Sequence, residues 1–193
     1  MVDELNRLRT EIHTYFYPGL LAFLLLWGIN FLNWLFASKL NVLGLYPRRL
    51  SGLIGIIFAP ILHQNFKHLF FNTIPLLALG SVVLGRGLQR FLSVTLIILF
   101  LGGFMVWLLG RRALHLGASG LVSGYFGYIL STAYFDLSFT TCILAVFAVY
   151  YFGSIFLGIF PQSKNISWES HLWGFLSGIL SAYLIYQRGF LGI

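Results

Sequence analysis

Charge is what this chain lacks most. Only 9% of its 193 residues are Asp, Glu, Lys or Arg, 59% are hydrophobic, and mean hydropathy is +0.87. A soluble domain carries about 25% charged residues, so a water-facing surface is excluded for most of the chain and lipid becomes its solvent. Carboxylates are scarcest, with five in all: Asp3, Glu4, Glu11, Asp136 and Glu169. Twelve Lys and Arg give a formal charge of +7. They are scattered through connections between apolar runs and form no basic stripe with interleaved aromatics. That leaves no footprint for nucleic acid and makes anionic lipid headgroups the simpler partner. The one cysteine, Cys142, precludes an intramolecular disulfide and says nothing of redox compartment. It lies within an apolar run without a histidine one turn away and reads as a small apolar filler.

What is present is a series of long apolar runs. A span needs about 20 mostly apolar residues, because its backbone must satisfy its own hydrogen bonds in hydrocarbon. Six stretches qualify: Tyr17–Ala37, Phe66–Leu84, Phe91–Leu109, Ala118–Phe135, Phe139–Ile159 and Trp168–Tyr186. The expected fold is therefore an all-α polytopic membrane domain of six transmembrane helices over residues 1–193. Its first sixteen residues form a short polar leader, unlike a cleaved signal peptide and too short for a sizeable soluble regulatory domain. Ser38–Asn65 is too interrupted by Pro47, Gly52, Gly55 and Pro60 for a span and too apolar for a water-exposed loop. It reads as an interfacial or re-entrant segment. With six spans, Arg7, Arg9, Arg86, Arg90 and Arg188 share the side of the termini, and Lys39, Arg48, Arg49, Lys67, Arg111, Arg112 and Lys164 lie opposite. The positive-inside count thus leans against cytoplasmic termini.

Polar groups in hydrocarbon cost several kcal/mol unless partnered, so they are candidates for function. They cluster at three points: His63, Lys67, His68 and Asn72 at the start of helix two, Gly117-Ala118-Ser119-Gly120 at the start of helix four, and Glu169-Ser170-His171 at the start of helix six. Even-numbered helices of an up-down bundle begin on one side of the membrane, so all three clusters are expected at one depth. A serine between glycines, like Gly120 and Gly124, fits close helix packing. At a loop-to-helix junction it also fits a nucleophile whose own turn supplies amide donors. His171, followed on its face by Gly174 and Gly178, fits either a satisfied core residue or a base brought against Ser119 through the Gly120–Gly124 face. His68 and Asn72, at i and i+4, point one way and suit an oxyanion hole or structural satisfaction equally. A metal held by His63, His68 and His171 is the lesser alternative, since neither HExxH nor another carboxylate-containing ligand set accompanies them. His13 and His115 sit in or beside polar segments and need no special role. Glu169 falls on a different side of its helix from His171, so any catalysis would use a Ser–His dyad rather than a triad.

The order His68-Leu69-Phe70-Phe71-Asn72, Gly117-Ala118-Ser119-Gly120, His171-Leu172-Trp173-Gly174-Phe175-Leu176-Ser177-Gly178 resembles that of rhomboid intramembrane serine proteases, and Tyr46-Pro47-Arg48-Arg49 resembles the start of that family's interfacial loop. The resemblance implies cleavage of transmembrane segments of membrane proteins. Ser119 would be the nucleophile and His171 the general base and then acid. His68, Asn72 and the Ala118 and Ser119 amides would hold the oxyanion, and His63 would lie at the cavity mouth. No cofactor and no metal are expected, and the resemblance implies an active site opening to the extracytoplasmic side of a bacterial cytoplasmic membrane. The chain departs at Ser123, where the best-known bacterial members place an aromatic that stacks on the histidine. The competing expectations are an inactive member that binds transmembrane segments as scaffold or chaperone, and a small transporter. A transporter would line a path at several depths, whereas odd-numbered helices carry few polar residues beyond Asn30 and Asn33.

Overall fold

The computed structural model describes residues 2–161 and 167–188, with side chains over 15–161 and 167–187. The readings that rest on the side chains of Arg7, Arg9, His13, Lys164 and Arg188 lie outside the described residues. Every regular element among those described is a helix. Met1–Lys39 and Leu40–Ile193 are two compact units.

The first unit is α1 (Val2–Leu35), in which the polar leader and the first apolar run form one continuous helix. Tyr15–Leu35 is long and apolar enough to cross a membrane. Its Leu21, Leu24, Phe31 and Leu35 are exposed, as side chains meeting lipid would be. Asn30 donates from its amide to the Leu26 carbonyl at 2.8 Å, which lets an apolar helix carry a polar residue by satisfying it internally.

The second unit opens with the expected irregular segment. It holds two 3₁₀ turns (Lys39–Leu43, Leu50–Ile54) and α2 (Gly55–Phe58), too short and broken to span. Asn65 then caps α3 (Phe66–Leu84), its side chain accepting the His68 N–H at 2.9 Å, the usual office of asparagine at a helix start. α4 (Leu88–Ile97), a π turn (Ile98–Gly102) and α5 (Gly103–Leu109) make one rod, Leu88–Leu109. α6 (Ser119–Phe135) follows, then α7 (Phe139–Phe152), begun by a reciprocal Ser138–Thr141 capping box. α8 (Ser154–Leu157) and α9 (Trp168–Arg188) complete the unit. Among the described residues three helices are long and apolar enough to cross a membrane: Tyr15–Leu35, α3 and the Leu88–Leu109 rod. α6 and α7 are shorter, and α9 opens on the polar run Glu169-Ser170-His171.

The packing of this unit is that of a chain folded in lipid. Hydroxyl side chains lie inside and return hydrogen bonds to their own helices: Thr73 to the Leu69 carbonyl at 2.8 Å, Ser177 to Trp173 and Ser181 to Ser177 at 2.7 Å. Phe71, Leu92, Phe139 and Tyr150 face out. Without a hydrophobic drive between helices in lipid, close backbone approach matters more. α6 and α9 supply it. A Cβ added to Gly174 would meet the Gly120 backbone, 2.8 Å from its carbonyl carbon and 3.0 Å from its Cα, and one added to Gly178 would meet Gly124 at the same distances. The pairs 120/174 and 124/178 advance together, so the two helices run parallel and begin at the same end. α3 follows the same sense: His68 and Asn72 lie at Gly117, and Gly80 lies beside Tyr125. α3, α6 and α9 thus run in one sense, and the three polar clusters lie at their starts.

Candidate active site

Ser119 is the first residue of α6, and its N–H precedes the helix's own acceptors. The turn before it depends on Gly117, whose φ of +106° suits glycine. Glycine is required there twice, because a Cβ would stand 2.6 Å from the His68 ring and 3.2 Å from the Asn72 amide nitrogen. His68 and Asn72, one helical turn apart, therefore lie over the turn that delivers Ser119. Among the described residues neither side chain is engaged in a hydrogen bond, so their N–H groups are available. Ser119 itself is buried.

His171 stands in the first turn of α9, brought near by the Gly120–Gly174 contact and by Ser170, whose carbonyl oxygen would lie 3.4 Å from a Cβ on Gly120. On another side it is flanked by Gly158, where a Cβ would come within 3.3 Å of the ring. Its Nδ1 is buried and makes no hydrogen bond among the described residues, as is the case for the Ser123 hydroxyl. Among the described residues no hydrogen bond joins Ser119 to His171. Catalytic hydrogen bonds often tighten only once substrate binds.

His63 is fully buried just ahead of α3. Its Nε2 accepts the Ala118 N–H at 3.3 Å and its Nδ1 lies 3.3 Å from the Ile61 carbonyl. An amide can only donate, so Nε2 is unprotonated and Nδ1 carries the proton to Ile61. Burial, reinforced by the His68 charge, pushes the His63 pKa from 6.5 down to about 4 against the opposing pull of the Ile61 carbonyl, which agrees with that neutral tautomer. The Ala118 amide, expected to face an oxyanion, is here committed to His63. The unfolded chain binds the His63 proton below pH 6.5, whereas the folded chain resists it until about 4. Stability from this group is therefore full above pH 6.5 and lost as pH falls toward 4. The wild-type melting temperature should fall more between pH 7.5 and 4.5 than that of His63→Gln, whose amide does not titrate. Equal falls would remove His63 as the acid-sensitive group.

His115, expected to need no role, is the centre of a polar cluster. It is buried, and burial lowers its pKa. Its Nδ1 bonds the Ser167 hydroxyl, its Nε2 lies 3.2 Å from the Arg111 carbonyl, and its backbone pairs with Leu45 in both directions. Ser167 continues to Ser170 at 2.7 Å. Glu169, nearly fully buried, accepts the Arg111 backbone N–H at 3.2 Å and forms an ion pair with the Arg111 guanidinium, its Nε 3.3 Å away. Asp136 pairs with Arg86 at 3.3 Å, so both carboxylates with described side chains are committed to arginine. The local signal for this cluster was Ser167-Trp168-Glu169-Ser170, a cap-like pattern ahead of an apolar run. Its partners lie more than fifty residues away. Among the described residues no three His, Cys, Asp or Glu side chains are arranged to hold a metal ion.

Compared with known proteins, residues 50–188 match the Rhomboid domain model. Uncharacterized proteins of Mycobacterium tuberculosis and Mycobacterium bovis are each 38% identical over 170 residues, covering 83% of this chain and 71% of theirs. One from Mycobacterium leprae is 34% identical over 170 residues, covering 83% of this chain and 67% of its own.

Proposed function

We propose, because this chain belongs to the rhomboid family, that it is an intramembrane serine endopeptidase acting on transmembrane segments of membrane proteins. The observation that carries this reading is the meeting, at one end of parallel α3, α6 and α9, of a serine at a helix start, two unengaged N–H side chains over its turn, and a histidine in the facing first turn. In the reaction the Ser119 oxygen attacks the scissile carbonyl carbon as His171 takes its proton. The C–O⁻ that forms is stabilised by the His68 and Asn72 side chains and the Ser119 amide. His171 returns the proton to the departing amine as the C–N bond breaks, and water, deprotonated by His171, then releases the acyl group. The Ala118 amide joins the donors once it leaves His63. No cofactor takes part.

Six spans, with Ala118–Phe135, Phe139–Ile159 and Trp168–Tyr186 as the last three, would set this site near one membrane face. We assign that face to the extracytoplasmic side of a bacterial cytoplasmic membrane. Asn72→Ala is expected to lower turnover about ten- to a thousand-fold, the effect of removing one oxyanion donor, with the fold retained. An unchanged rate would make Asn72 structural. One observation favours the second reading, a binder of transmembrane segments: no hydrogen bond joins Ser119 to His171 among the described residues. A serine-reactive phosphonate separates the two. The protease labels at Ser119 and His171→Ala does not, whereas a binder labels in neither form.

A further inference from the structure

Two residues before Gly117, the loop between α5 and α6 is held on both sides. Its backbone is bonded to the irregular segment: Leu45 and His115 exchange N–H donors at 3.1 and 2.9 Å, and the Gly117 N–H meets the Ala59 carbonyl at 2.8 Å. On the opposite side, side chains join the loop to the first turn of α9 at two points, His115 to Ser167 and Arg111 to Glu169. Ser167 is not an incidental partner. Its carbonyl accepts the Ser170 and His171 N–H groups at 3.0 and 3.4 Å, and its hydroxyl passes on to Ser170, so it sets the turn on which His171 stands. The loop ends at Ser119 and the turn carries His171. One polar path between the two runs through a buried imidazole, that of His115.

We propose that His115 is a positioning residue: bonded to Ser167, it fixes the distance between the loop that delivers Ser119 and the helix turn that delivers His171. This rests on the protease reading above. His115 touches no reacting atom in it and holds the two that do. The role calls for a ring with both nitrogens engaged, Nδ1 toward α9 and Nε2 toward its own loop at Arg111. A small misplacement of reacting groups costs about a hundred-fold in rate, so a slackened loop should be read in kcat and not in substrate affinity.

The test uses the full chain purified in lipid, a single-pass substrate, and phosphonate labelling of Ser119. His115→Phe keeps the ring and removes both nitrogens; it should lower kcat and the labelling rate about ten- to a hundred-fold while KM stays within about three-fold. His115→Asn, whose amide occupies the Nδ1 position, should restore part of the loss. His115→Gln, whose amide reaches the Nε2 position, should not. Ser167→Ala should match His115→Phe, and the double variant should be no worse than the lower single, because both remove one bond. Additive losses, equal rescue by Asn and Gln, or unchanged kcat in folded variants would overturn the proposal. Should His115→Phe fail to fold, Ser167→Ala and the Asn–Gln pair decide. A wild type that neither cleaves nor labels overturns the protease reading itself, an outcome distinct from an active wild type with indifferent variants.

Discussion

Ser119→Ala is expected to abolish cleavage of a single-pass substrate, lowering turnover by about 10⁴-fold or more. The size follows from the chemistry: without the hydroxyl no acyl intermediate forms, and the remaining donors can only polarise a carbonyl that nothing attacks. The substitution is structurally mild. The Ser119 hydroxyl supports no hydrogen bond among the described residues, the residue is buried but small, and alanine is the better helix former. The variant should therefore melt with the wild type. Purified protein of each form, incubated with substrate in lipid and compared on a gel, decides the matter. Equal processing by both would end the protease assignment.

The second large effect should come from a glycine that touches no substrate. Gly174→Ala puts a methyl against the Gly120 backbone, 3.0 Å from its Cα and 2.8 Å from its carbonyl carbon. Nothing there can swing aside, since the obstacle is main chain rather than the end of a flexible side chain. Overpacking of this kind costs about 1–3 kcal/mol, and relief requires α9 to withdraw from α6. His171 is one turn before Gly174 and would withdraw with it. We expect turnover to fall about a hundred-fold, with a lowered melting temperature and slower phosphonate labelling. Gly19→Ala, where a Cβ meets nothing within 4 Å, is the control and should leave all three unchanged. Activity of Gly174→Ala within two-fold of wild type would show that the close approach of α6 and α9 does not set the geometry.

These glycines mark how much was readable in the chain. Helix position, the i, i+4 pairing of His68 with Asn72, and the small-residue spacing on α6 and α9 are local patterns. Local patterns survive translation into structure because each helix imposes its own period. Parity then carries three separate motifs to one end without any knowledge of tertiary contact. The readings that missed concern loops. His115 looked idle because its partners, Leu45 and Ser167, are 70 and 52 residues away, and no periodicity spans such gaps. The Ala118 amide was expected to be open, but His63, 55 residues earlier, takes it. At Ser123, in α6, where the best-known family members place an aromatic brace, there is a fully buried hydroxyl without a hydrogen-bond partner among the described residues. Gly158 lies against the His171 ring from the α8 side, a neighbour that only the folded chain reveals.

The π turn at Ile98–Gly102 has a consequence for winding. Val94, Ile98, Gly102, Val106 and Gly110 are all buried, each four residues from the last. In an uninterrupted α-helix every residue turns about 100°, so each step of four overshoots by about 40° and the whole stripe by about 160°. A stripe that long would begin on the core and finish almost on the opposite face. One widened turn admits an extra residue and returns about 100° of that drift. The phase so recovered is what points Trp107 at the Arg49 carbonyl, 2.8 Å away, and sets Gly110 beneath Pro47. A single irregular turn in mid-rod thus keeps time for both ends, so that one helix serves the core at its start and the irregular segment at its finish.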